Sequence, residues 1–195
     1  MSADPAKQAA AQKIAEEIRT IMDSNLLLQA METEDDVGRI LRSHLLIEQT
    51  IETFLGWTIT DNMKPVVKVP QQFNQKIVLA TALGLPQQIA VAASTLNTIR
   101  NKVAHRVGAT LETADVSNFT RAVNNVREIL DVAVPPLEES SIEVAASGIG
   151  KVSYGAKGLG WDFRIAVGMF QMWTARYVSF HGANLIKTLV GTGTM

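Results

Sequence analysis

The chain has 195 residues, 47% hydrophobic and 19% charged, with a formal net charge of −1. That length suits one domain with extensions or two small ones, and the apolar content suffices for a true core. With no cysteine there is no disulfide framework, thiolate metal site or cysteine nucleophile, and three histidines at 44, 105 and 181 do not make a metal-binding spacing, so neither metal nor cofactor is expected.

No signal peptide is read at Ser2-Ala3-Asp4-Pro5, and a cytoplasmic protein is the expectation. Asp4 as N-cap and Pro5 at the first helical position start a helix to about Ser24. Leu26-Leu27-Leu28 continues an apolar stretch to Met31. Thr33 with Asp36 resembles a capping box. From there to Leu55 one face carries Val37, Ile40, Leu41, His44, Leu45, Glu48, Ile51 and Leu55. His44 and Glu48 thus sit one turn apart on an otherwise apolar stripe. A carboxylate there needs a partner. Arg100 is one candidate, with Glu48 fixing its rotamer; pairing with His44 or an outlet to water is the other.

Gly56 to Pro70 reads as an extended connector with room for a short hairpin at Thr58–Thr60 and Val66–Val69, interrupted by Pro65 and Pro70. Phe73 to Leu83 is a helix ended by Gly84 and Pro86. Ile89, Ala92, Leu96, Ile99 and Val103 then recur at three and four residues, a helix whose last turn holds His105. Asp115 or Thr113 caps the next helix, which carries Phe119, Val123, Val126, Ile129 and Leu130 and stops at Pro135-Pro136. The expected architecture is a compact all-α bundle of about five helices over residues 1–136.

Residues 137–160 read as a flexible Gly-rich linker. They lack the Gly-Lys-Ser/Thr of a phosphate-binding loop. Residues 161–195 read as an extra apolar helix rich in aromatics, docked on the bundle or forming a dimer or partner surface. Eleven residues separate Arg164 from Arg176, whereas a membrane span needs about 20, so no span is expected.

Charge is segregated along the chain. Residues 1–60 are net −5, 61–110 net +5, 111–140 net −4 and 141–195 net +3. The basic second segment contains Arg100, Asn101, Lys102, His105 and Arg106, and a local positive field can hold a phosphodiester. Cleaving RNA without a metal needs a base for the 2′-hydroxyl proton, a cation for the phosphorane-like transition state and a proton for the leaving oxygen. His105 suits the first or third role. Arg100 suits the second, as a planar fork matched to phosphate. Lys102 and Arg106 favour neutral imidazole by like-charge repulsion. A five-residue step turns a side chain by about 140°, so Arg100 and His105 diverge on a regular helix and meet most easily if the last turn loosens or a second copy faces the first. The plainer reading makes Arg100 a solvated cation and His105 a C-capping group.

At Arg100-Asn101 and His105 the chain resembles HEPN domains, all-α proteins of which many are metal-independent ribonucleases of toxin, antiviral and stress-response systems. Phe73-Asn74-Gln75-Lys76-Ile77 through Ala82-Leu83-Gly84-Leu85, and Ser43-His44-Leu45-Leu46-Ile47-Glu48, resemble the preceding helices of the mannitol-operon-repressor-like branch. The resemblance spans about residues 35–135. It implies an endoribonuclease acting as a toxin or defence effector, an RNA substrate, a homodimer with a site built across its two-fold axis, and an antitoxin protein as a further partner. In that picture Arg100 and His105 are catalytic, and Asn101 orients the phosphate or His105. Some HEPN toxins carry a tyrosine two residues after the histidine, which a partner nucleotidyltransferase modifies; Val107 stands there, so that neutralisation does not apply. The mannitol-operon-repressor-like branch also implies the alternative of a non-catalytic dimeric helical regulator working by protein or nucleotide binding. No helix-turn-helix or basic recognition helix accompanies it.

Overall fold

The computed structural model describes residues 5–31, 35–105, 110–144 and 150–190. Among the described residues seven α-helices run in chain order: α1 (Pro5–Ile21), α2 (Ser24–Met31), α3 (Asp36–Thr58), α4 (Phe73–Ala82), α5 (Gln87–His105), α6 (Thr113–Val126) and α7 (Leu159–Val190). The all-α class is as expected. The expected cap Thr33 lies outside the described residues. The N-cap of α3 is Asp35, whose carboxylate accepts from the amide of Gly38 at 2.6 Å. At the start of α6 the Asp115 carboxylate takes the amide of Glu112 at 3.1 Å. Both bonds satisfy amides that a helix start leaves without partners.

The start of the Gly56 to Pro70 stretch differs from the expected extended connector, and no hairpin forms at Thr58–Thr60 and Val66–Val69. Helix α3 continues to Thr58, and hydrogen-bonded turns follow, with the amides of Met63 and Lys64 donating to the Thr60 carbonyl. Pro65 and Pro70 lack the amide that a strand ladder needs.

Residues 137–144 and 150–160 also differ from the expected flexible linker. A 3-10 turn over Leu137–Glu139 precedes an antiparallel pair, β1 (Ser141–Val144) with β2 (Gly150–Ser153), in which Ser141 faces Ser153 and Ile142 faces Val152. Leu137 and Val152 are buried, and Tyr154 shares a 2.8 Å hydrogen bond with Thr120 of α6. Gly155 and Gly158 adopt φ of +78° and +83°, a conformation open to glycine at little cost, and turn the chain into α7. At Gly155 and Gly158 the glycine is a turn residue and not loose chain.

Helix α7 lies inside the same core as the helices before it. Phe163, Ile165, Phe170, Trp173 and Val178 are buried together with Ile40, Ile47 and Phe54 of α3 and Phe119 and Val123 of α6. Such a helix is apolar on most of its circumference because neighbours cover most of it. The Phe119 ring stands 5.7 Å from Phe163 and 5.8 Å, edge-on, from Phe170. Gln171 donates to Thr50 of α3 at 3.0 Å, and Gly182 lies beneath the indole of Trp57. A Cβ at Gly182 would stand 2.5 Å from that ring.

The expectation is therefore that a chain truncated after Pro136 loses its fold, read as lost helical circular dichroism; a cooperatively melting truncation would contradict it. Gly182→Ala should cost about 1–3 kcal/mol by overpacking against Trp57, measured as a shift in the urea midpoint.

Candidate functional site

Helix α5 sorts the sequence candidates onto different sides. Ile89, Ala92, Leu96, Ile99 and Val103 face the core. Arg100 and Asn101 are half-buried, Lys102 is half-buried and His105 is exposed. Arg106 lies outside the described residues. The helix is α-helical through His105, so the last turn does not loosen as one expectation required. Arg100 and His105 point about 140° apart, and a single chain does not bring them together.

On the Arg100 side, α3, α4 and α5 enclose a polar cluster. The His44 Nε2 lies 3.0 Å from the Asn97 Oδ1, and the Asn97 amide donates to the Asn74 Oδ1 at 2.8 Å. The other His44 nitrogen lies 3.8 Å from Glu48, and the ring rests on Phe73 with centroids 4.3 Å apart. Glu48 does not take Arg100. It accepts from the Lys76 ammonium at 2.6 Å, and Glu52 accepts from the same group. Lys76 is only 6% exposed. It shares one stripe of α4 with Phe73, Ile77 and Ala80, and that stripe carries its ammonium to α3. Burial pulls the Lys76 pKa down, but the bonds to Glu48 and Glu52 outweigh this and hold it above its ordinary value.

Arg100 donates through Nη1 to Asn101 Oδ1 at 2.9 Å and makes no carboxylate pair among the described residues. Its charge reaches His44. Burial lowers the His44 pKa, Glu48 and the Asn97 bond pull it up, and the charges of Arg100 and Lys76 add to the lowering. The imidazole is thus held neutral at ordinary pH.

On the His105 side, Lys102 is committed to structure. Its ammonium meets Asp115 and Glu112, each at 2.8 Å, and ties the end of α5 to the start of α6. Both carboxylates raise its pKa. The local field expected from Lys102 is therefore largely neutralised. Among the described residues no cluster of three His, Asp or Glu side chains could hold a metal ion, and no helix is long and apolar enough to cross a membrane.

Sequence reasoning missed Lys76, Asn74 and Asn97. Lys76 was legible as a cation at an apolar position of its stripe, and Asn97 as an amide beside Leu96 on the buried side of α5. No family model, curated protein or solved structure matches the chain.

The buried His44 gives a pH dependence with a definite sign. Its folded pKa lies below the ordinary 6.5, so the unfolded chain binds more protons between the two values. This contribution to stability is complete above pH 6.5 and falls as the pH drops toward the folded pKa. His181 on α7, lowered by burial, acts in the same direction. His44→Gln should flatten the fall of the urea midpoint between about pH 7 and 5; an unchanged slope would show that His44 does not titrate there.

Proposed function

We propose that the chain is a HEPN-type, metal-independent endoribonuclease that works as a dimer, as a toxin or defence effector. The observation that carries this reading is Arg100. Its guanidinium is half-buried and steadied by Asn101, while the carboxylates it could have paired with are taken by Lys76. A buffered structural arginine ends on a carboxylate; this one keeps its planar fork for an outside anion, and phosphate matches that fork.

The chemistry follows from the two residues. One imidazole removes the proton from the 2′-hydroxyl, and the 2′-oxygen attacks the adjacent phosphorus. Charge builds on the non-bridging oxygens, where Arg100 stabilises it. The bond to the 5′-oxygen breaks, and that oxygen takes a proton from an acid. The products are a 2′,3′-cyclic phosphate and a 5′-hydroxyl. His105 can serve as base or acid, and its exposure at the end of α5 leaves it open to substrate. The divergence of Arg100 and His105 supports a composite site, in which a second copy brings its own His105 and Arg100 across a two-fold axis.

Purified protein should cleave single-stranded RNA in excess EDTA and leave a cyclic phosphate. His105→Ala should lower the rate by roughly 10²–10⁴, the usual contribution of a general acid or base. Arg100→Lys should fail as Arg100→Ala does, because an ammonium lacks the fork. Neither side chain is part of the apolar core, so both variants should melt like the parent. Cleavage surviving in both variants, or an intact rate from a protein that light scattering shows to be monomeric, would contradict the reading.

A further inference from the structure

Two arginines stand together where the first turn of α7 meets the first turn of α3. Gly160 marks the meeting, since a Cβ built on it would lie 3.9 Å from Asp36 Oδ1 and 4.0 Å from Arg39 Nη1. Arg39 is buried; its Nη1 donates to Asp36 and its Nε to the Met31 carbonyl, the latter at 3.4 Å. Arg164 is half-buried and lays its guanidinium over Trp161, with Cζ 4.5 Å from the ring centroid. The ammonium of Lys157 stands 5.5 Å from the centroid of the same ring. Arg39 and His44 lie five residues apart on α3, about 140° around the helix, so this corner faces a different side of α3 from the Arg100 cluster.

The carboxylates described in this corner are engaged elsewhere. Asp36 serves Arg39, Asp35 accepts from the Gly38 amide at 2.6 Å, and Asp162 accepts from the Gly155 amide at 2.6 Å. Among the described residues Arg164 and Lys157 meet the Trp161 ring and no carboxylate. The Arg164 Nε is buried with no hydrogen-bond partner, so the two Nη nitrogens are the ones left to an outside group. Burial holds the Arg164 pKa below its ordinary value, the charge of Arg39 adds to this, and Asp36 opposes it. A lysine in that position could shed its proton, but a guanidinium cannot. Arg164 therefore stays charged beside a like charge, and an anion relieves both. Its pair of Nη donors matches two oxygens of one anion. Lys157 brings a second positive charge to the same ring. Two cations suit a doubly charged phosphate better than a singly charged carboxylate.

We propose that Lys157, Trp161 and Arg164 form a phosphate-binding site, in which the Arg164 Nη donors and the Lys157 ammonium hold one phosphate group beside the indole. The site is separate from Arg100 and does not rest on the ribonuclease reading. A small phosphomonoester and a phosphate along a nucleic-acid strand offer the same oxygens and differ in charge.

The test is a titration of the ¹⁵N-labelled full chain, at constant ionic strength, with inorganic phosphate, ribose 5-phosphate, acetate and a 2′-O-methyl oligonucleotide lacking terminal phosphates. The Arg164 Nε–H and Trp161 Nε1–H signals should move with phosphate and ribose 5-phosphate and stay in place with acetate. Arg164→Gln, read at Trp161, should weaken ribose 5-phosphate binding roughly ten- to hundredfold, the usual worth of a charge-assisted hydrogen bond. Lys157→Gln alters an exposed side chain, leaves the fold intact and should weaken it about two- to fivefold. An oligonucleotide that acts at lower concentration than ribose 5-phosphate assigns the site to a strand, and the reverse order assigns it to a phosphomonoester. Equal movement with acetate would show general charge screening and overturn the proposal. So would no movement with any probe, or ribose 5-phosphate binding unchanged in Lys157→Gln or in a folded Arg164→Gln.

Discussion

The Lys76 ammonium, nearly buried between α3 and α4, takes both Glu48 and Glu52. Burying a charge without a partner is prohibitive, so either Lys76 or Glu48 alone at this place would destabilise the bundle. Together they make the interior of the α3–α4–α5 corner tolerable. Their pairing also decides what Arg100 is left with. Because Glu48 is occupied, the guanidinium is steadied by an amide oxygen, which orients it without neutralising it. Burial in the same corner keeps His44 neutral, and the charges of Arg100 and Lys76 add to that effect.

Much of the helical frame was legible because it rests on apolar periodicity. The stripe from Ile89 to Val103 and that from Val37 to Leu55 each mark a helix; the structure buries the first, and of the second it buries Ile40, His44, Ile51 and Leu55 but leaves Leu45 exposed. The role of α7 was harder to read. A helix buried on most of its circumference has no polar face to set its phase, and its partners are distant in sequence. Phe163 and Phe170 against Phe119 illustrate this, since neither sequence neighbourhood names the other. Gly155 and Gly158 misled for a related reason. Glycine serves turns and loose chain alike, and only the pairing of Ile142 with Val152 separates the two.

For the candidate site, the place of its residues on α5 was legible and their pairings were not. Arg100, Asn101 and His105 fall on the last turns of α5 as the spacing implied. The partner of Glu48 was chosen for its chemistry, and two cations satisfied that criterion. Lys76 reaches it because α4 lies alongside α3 and α5, a fact of packing that no local pattern carries. Lys102 likewise was read for its charge, whereas its place next to α6 gives it to Asp115 and Glu112. Charge near a motif is not field at the motif until the local carboxylates are subtracted.

The claim on which the account turns is that Arg100 is held ready for an anion and is not a structural ion-pair partner. The most direct measurement is the ¹⁵N resonance of the Arg100 Nε, followed in the free protein, in Glu48→Gln, and with a 2′-O-methyl oligonucleotide that cannot be cleaved. The expected signal is indifferent to Glu48→Gln and clearly shifted, with slowed exchange, when the oligonucleotide is added. A signal already protected in the free protein, moved by Glu48→Gln and unmoved by the oligonucleotide, would contradict it.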